Sequence, residues 1–273
     1  MTTAPRLLKR VLPTALRRRL RLIFGWRWFR GDFGSWEEAR TAASGYDAAI
    51  IVERVLAATL DVRAGRAAYE RDGVCFARPE PDTPLLHALL RAAAACPGRL
   101  RVLDFGGALG SVYWRHRAEL AAVRGLSWDV VEQPGFVDAG RRHLAGTPLH
   151  FFATVDEAEA PGGHDLLLCS TALQYLERPH ATVDEWVERG WSFLLFNNLP
   201  MHHGKPDWLA VQHVPPEIYP ASYPAWFFNR ERMLSHFTAR YSLLTEYASE
   251  AVWPVGWREY PSTGLLFVRK DLR

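Results

Sequence analysis

Asp104, Gly106, Gly107, Gly110 and Glu132 are the residues of this chain whose types and spacing describe a chemical task. The first four fall in VLDFGGALGS, residues 102–111, where an apolar run ends in a carboxylate and passes at once into glycines. Such a run reads as a buried parallel strand that turns sharply into a helix, whose first amides face a ligand. Glycine is required there because a side chain would block both the positive-φ turn and the approach of a ligand to the backbone. The next predicted strand, Ser127–Glu132, closes on a carboxylate 22 residues past Gly110, where it can take both hydroxyls of a ribose.

Two cofactor classes use a corner of this kind. In the dinucleotide fingerprint G-x-G-x-x-G, the frame that fits Gly107 and Gly110 puts its first glycine at Phe105, so that frame fails. The pattern D-x-G-x-G-x-G, which serves S-adenosylmethionine, matches Asp104, Gly106 and Gly110 and departs at Ala108. Asp104 is expected to orient the methionine part of that cofactor. Asp156, after the third strand, either receives the adenine amino group or forms with Glu157 a pair favourable to a helix N-terminus. Ser170 ends the fourth strand, at the carboxyl edge where open α/β sheets bind ligands. Gln174 and Tyr175 follow it. Asn197, Asn198, His202, His203, Tyr219 and Tyr223 follow the fifth strand on the same edge.

From these, Gln174, Asn197, Asn198, Tyr219 and Tyr223 are expected to hold an acceptor, and His202, His203 and Tyr175 to serve catalysis. Transfer of a methyl group from a sulfonium is an in-line displacement, so the protein must mainly align the partners. A base matters only for a hydroxyl or protonated amine acceptor, and histidine has the suitable reference pKa of about 6.5. The doubled histidines do not make a metal site: neighbours in a strand or helix point apart, and no thiolate or carboxylate stands at ligand spacing.

The elements that must position these residues alternate regularly from Arg101. Strands are predicted at Arg101–Phe105, Ser127–Glu132, Leu149–Phe152, Asp165–Ser170 and Ser192–Asn197, with helices near Val112–Ala122, Phe136–Leu144 and Pro179–Arg189. That is a doubly wound, Rossmann-like α/β sheet. Residues 199–228 show no clear periodicity and are expected to form a lid. A helix at Arg230–Arg240 and strands at Tyr241–Ala248 and Gly264–Arg269 follow. Upstream, Ser35 and Glu38 suggest a capping box, helices are expected over about Asp47–Ala64 and Thr83–Ala95, and Glu70–Gly73 reads as a turn. Three units result: a basic aromatic arm (residues 1–31), a helical cap (32–98) and a cofactor-binding domain (99–273) carrying the lid at 199–228.

Composition sets the remaining bounds. With 48% apolar and 23% charged residues the chain is globular, and Cys75, Cys96 and Cys169 suggest neither a disulfide framework nor a thiolate metal site, as in a reducing cytosol. Residues 1–31 hold nine basic side chains and no acidic one, leaving 24 basic against 30 acidic, a net −6, elsewhere. A body of that sign is not a nucleic-acid binder. In the arm, Leu12, Leu16, Leu20, Ile23 and Phe24 would share one helix face and Arg17, Arg18 and Arg21 another. This fits either a helix lying on an anionic membrane surface or one packed on the domain.

VLDFGGALGS followed by Tyr113, VVEQPGFV at residues 130–137, STALQYL at 170–176, PASYPAW at 220–226 and FGSWEEA near the N-terminus resemble a group of bacterial class I methyltransferases of unassigned substrate. The resemblance extends over most of residues 33–250. It implies S-adenosylmethionine as cofactor, a sheet of seven mostly parallel strands whose final strand is antiparallel, and a link to cell-surface polysaccharide synthesis. The expected function is methyl transfer to a small molecule or glycan, in the cytoplasm or at the inner face of the membrane. Two rival readings are a nicotinamide-dependent oxidoreductase, against which Phe105 argues, and a non-catalytic membrane-associated protein with the same fold.

Overall fold

The computed structural model describes residues 28–272, apart from 47, 145, 147, 161, 215–217 and 256–257. The predicted arm helix, and nearly all of the 1–31 segment to which membrane contact was ascribed, lie outside the described residues. What is described of the arm enters a strand, β1 (Phe29–Phe33). Helix α1 (Trp36–Ala42) begins where Ser35 Oγ accepts the Glu38 amide at 3.2 Å; the Glu38 carboxylate reaches back to the Gly34 amide, one residue beyond the expected box. After β2 (Gly45–Tyr46) and α2 (Ala48–Arg63), the expected turn is the tip of a hairpin, β3 (Tyr69–Arg71) and β4 (Val74–Phe76). Its two-residue loop, Asp72-Gly73, has φ of 53° and 72°, the paired positive values of a type I′ turn. Helix α3 (Thr83–Ala95) is capped by Asp82, which accepts the Leu85 amide.

The alternation from residue 100 is as expected: β5 (Leu100–Phe105), α4 (Ser111–Leu120), β6 (Leu126–Val131), α5 (Pro134–His143), β7 (Leu149–Phe152), α6 (Val155–Glu159), β8 (Leu166–Ser170), a 3-10 turn (Leu173–Tyr175), α7 (Pro179–Arg189) and β9 (Phe193–His202). The five strands pair in parallel in the order β7-β6-β5-β8-β9. Both faces are covered. Val102, Trp128, Val130, Leu166 and Leu168 pack on one side and Leu103, Val131, Leu167 and Leu194 on the other, which explains why these strands read as unbroken apolar runs.

Beyond β9 the architecture departs from expectation. Residues 199–228 are not a lid: they complete β9 and form β10 (Trp208–Val214) and β11 (Ala221–Asn229). Helix α8 stops early, at Arg230–Ser235, and the last two strands are long, β12 (Tyr241–Val255) and β13 (Arg258–Arg269). The sheet has eleven strands, not seven, in the order β2-β11-β10-β1-β12-β13-β9-β8-β5-β6-β7. The expected seven lie within it, with β13 antiparallel between β9 and β12. Because β11 also pairs with β9, at Phe228↔Met201 and Asn229↔His202, six strands close into a ring, filled by Phe29, Ala210, Ala225, Phe227, Trp253, Trp208 and Tyr260.

Candidate functional site

The glycine corner is built at the carboxyl end of β5. Asp104 is fully buried; the Trp128 indole donates to its Oδ2 at 2.9 Å, while Oδ1 has no hydrogen-bond partner. Burial pushes this carboxyl up to about 7, against the opposing pull of the Trp128 bond. A Cβ at Gly107 would lie 2.3 Å from the Asp104 carboxylate, so glycine is demanded at that position. Gly106 has φ +69°, and a Cβ there would meet Ala172 at 2.5 Å; that glycine is required by the protein's own packing as well as by any ligand. Ala108 tolerates φ 51°, and Gly110 (φ 82°) leads directly into α4.

Glu132, one residue past β6, closes the corner. Its carboxylate accepts the Gln133 amide at 2.5 Å and the amide of Ala108, joining the end of one strand to the glycine turn on the next. Burial pushes it above the usual carboxylate range, and these bonds oppose the shift. Ser170, in contrast, accepts from Asn197 Nδ2 at 3.2 Å. The adenine candidate Asp156 faces elsewhere: exposed on α6, it pairs with Arg189 of α7 at 2.7 Å. The helix-terminus alternative describes it better.

On the acceptor side, Tyr175 and Tyr223 meet edge to face with centroids 5.1 Å apart, and the Tyr175 hydroxyl donates to Gln212 Oε1 at 2.6 Å. Tyr219 packs with Val214, Ala221 and Tyr223 beside Ile51 of α2. Burial pushes all three phenols upward, so they stay neutral and act as hydrogen-bonding and aromatic surfaces, not as bases. Gln174 is completely buried beside Tyr175, with neither amide atom in a well-formed hydrogen bond.

Four other expected site residues are placed differently. Asn197 accepts from Tyr247 and Ser249, and Asn198 bonds to Thr171 and the Ala251 amide; both amides are consumed in the seam around β9, which reaches the end of β8 on one side and, across β13, β12 on the other. His203 is exposed and paired with Glu231. His202 is buried against Tyr260 with neither nitrogen bonded. Its partner in the ring is Asn229, six residues beyond Tyr223 on β11, which puts it about 20 Å along the strand from the tyrosines. The histidines therefore do not join the glycine corner.

Sequence reasoning missed the β3–β4 hairpin. Glu70, nearly fully buried, accepts from the Ser111 hydroxyl at the first residue of α4 and from the Gly73 amide. That bond docks the hairpin over the first turn of α4, and its tip rests on α2: a Cβ at Gly73 would lie 3.2 Å from Arg54, one helical turn beyond the Ile51 that packs with Tyr219 and Tyr223, which brings Asp72 to the tyrosine side of the corner. The only signal in the sequence was the Asp-Gly pair of a tight turn. Among the described residues no group of three or more His, Cys, Asp or Glu converges as a metal site, and among them no helix is long and apolar enough to cross a membrane.

No family model matches the chain, and no curated protein matches it in sequence. Solved structures do. The chain is similar to the N-terminal domain of EvdMO1, crystallised with SAH and D-fucose, at 16% identity over 77% of this chain and 96% of that one, with a TM-score of 0.46. It is similar to the magnesium protoporphyrin IX methyltransferase of Synechocystis PCC 6803 with bound SAH at 16% identity, over 82% and 100% of the two chains, TM-score 0.44. A pericyclic reaction enzyme matches at 14% over 68% and 47%, TM-score 0.45. With identities and TM-scores this low, the chain's own strand order defines it as Rossmann-like.

Proposed function

We propose that this protein is an S-adenosylmethionine-dependent methyltransferase acting on a small-molecule or glycan acceptor, with residues 1–31 available to meet an anionic membrane surface. The observation that carries the reading is the corner itself: a buried Asp104 with one unpartnered oxygen, a glycine turn opening α4, and Glu132 at the end of the neighbouring strand. These residues fit the cofactor, which would supply an electrophilic methyl group. Asp104, the turn amides and Glu132 would hold it, and the face formed by Tyr175, Tyr223 and Gln212 would align the acceptor. The likeness of residues 102–111, 130–137 and 170–176 to class I methyltransferases supports the same assignment. A dinucleotide cofactor is disfavoured because Phe105 occupies the place of its first glycine.

Calorimetry of the full-length protein with S-adenosylmethionine and S-adenosylhomocysteine tests the proposal; absence of saturable heat with either would sink it. Glu132→Ala should weaken binding by roughly one to two orders of magnitude, since losing one side of a charge-assisted hydrogen bond costs about 1.5–3 kcal/mol. Glu132→Gln, which can still accept the Ala108 amide, separates ligand contact from support of the turn.

A further inference from the structure

We propose that Asp72 and the tyrosines facing it form the acceptor subsite, and that the acceptor is an amine, bound as its ammonium ion by the Asp72 carboxylate and the tyrosine faces. The inference rests on the methyltransferase reading above and names its substrate class.

Asp72 sits at the tip of a hairpin anchored to the cofactor helix through Glu70 and Ser111, and a Cβ at its turn partner Gly73 would lie 3.2 Å from Arg54 of α2. Both supports hold the tip beside the glycine corner. Among the described residues the Asp72 carboxylate makes no hydrogen bond or ion pair. Arg71 is the one cation that moderates its charge, and that side chain is directed to Glu250 at 3.6 Å and to the ring of Phe76. Although exposed to solvent, Asp72 is surrounded by enough protein that desolvation pushes its carboxyl up. A negative charge so placed, without an ion-pair partner among the described residues, is complemented by a cationic ligand.

The rest of the wall agrees. Tyr175, Tyr219 and Tyr223 are neutral, and aromatic faces beside a carboxylate attract an ammonium ion. Gln174, fully buried beside Tyr175 with no well-formed hydrogen bond, adds a polar group to the same wall.

In the reaction the ammonium proton passes to the Asp72 carboxylate, leaving a neutral amine. Its lone pair forms the nitrogen–carbon bond as the carbon–sulfur bond breaks with its electrons on sulfur, so the positive charge ends on the methylated nitrogen. Asp72 thereby acts as the base that the distant histidines cannot supply.

The alternative role for Asp72 is to shape the turn, and Asp72→Asn separates the two. Asn adopts positive φ readily and Asn-Gly suits a type I′ turn, so the variant should melt within about 2 °C of the parent. Binding of benzylammonium and of uncharged benzyl alcohol to the full-length protein is measured by titration calorimetry and ligand NMR. Benzylammonium should bind saturably and at least tenfold more tightly than the alcohol, and Asp72→Asn should remove that preference. Equal binding of the two probes, an unchanged preference in the variant, or no saturable binding of benzylammonium would overturn the proposal. S-adenosylmethionine titration of the same samples reports separately on the cofactor reading, which can fail or stand without deciding the amine site.

Discussion

The glycine corner and the seam around Asn197 and Asn198 of β9 handle polar groups in opposite ways. At the corner Asp104 keeps a buried oxygen without a partner. At the seam, Asn197 and Asn198 spend their amides on Ser170, Thr171, Tyr247, Ser249 and Ala251. Unmet buried polarity costs stability, and at a glycine turn that opens a helix a bound ligand can repay it. Saturated amides are architecture. The ring is held by aromatic packing: Trp208 stacks on Phe227 at 4.1 Å, and Phe29 meets Phe227 and Trp253 edge to face.

If that division holds, the largest stability effect should come from the ring. Phe227→Ala empties a fully buried aromatic site and should cost about 3–5 kcal/mol. Because the ring shares β9 with the five parallel strands and continues the same sheet, chemical denaturation should show one transition displaced as a whole. Cofactor affinity of the remaining folded protein should stay within about threefold. A loss of affinity matching that of Glu132→Ala would mean that the ring sets the corner's geometry and the division is wrong.

The corner should show the reverse, a residue whose removal helps the fold. Asp104 titrates at about 7 when folded and near 3.9 unfolded. Below about pH 4 both states are protonated and the group contributes nothing. As pH rises from 4 to 7 the unfolded chain gives up the proton while the folded one keeps it, so stability falls, and above 7 the deficit is constant. Asp104→Asn retains an acceptor for Trp128 and does not ionise. It should match the parent at pH 4 and exceed it by about 2–4 kcal/mol at pH 8. It should also abolish the proton release that accompanies binding of a cationic ligand near pH 7, read by calorimetry in buffers of different ionisation enthalpy. A pH-independent difference between the two proteins would show that Asp104 is already ionised in the fold.

The same contrast explains what the sequence could disclose. Strand β5, the glycine turn and α4 are contiguous, and their apolar run, glycines and helix start lie within a few turns of chain, so Asp104, Gly106, Gly107 and Gly110 were readable in place. Glu132 was readable because its distance from the turn is fixed by one helix. The ring was not, since its closure joins Met201 to Phe228 and Phe29 to Gln212, pairings between distant segments. Its strands also hid their alternation: Pro200 and Pro224 lie within β9 and β11, and β10 and β11 bury side chains on both faces. Asp72 was invisible for a related reason, because its local signal is that of a turn and its surroundings come from α4 and β11.

The smallest expected effect concerns the histidines, whose reference pKa made them attractive as bases. His202 and His203 lie on and just past the end of β9, where neighbouring side chains take opposite faces: His202 turns into the ring against Tyr260, and His203 turns out to Glu231. Trp208, Phe227 and Tyr260 pack against one another in the ring that His202 enters, and His203 lies outside it, so neither imidazole reaches the tyrosine face about 20 Å along the strand. His203→Ala should therefore leave turnover within about twofold, as loss of an exposed pair does not reach the reacting atoms. His202→Phe fills the same space without nitrogens that already lack partners, and it should leave turnover within about threefold while holding or raising the melting temperature. A drop of two orders of magnitude in kcat for His202→Phe, with cofactor affinity unchanged, would place a reacting group inside the ring and reverse the assignment of the two regions.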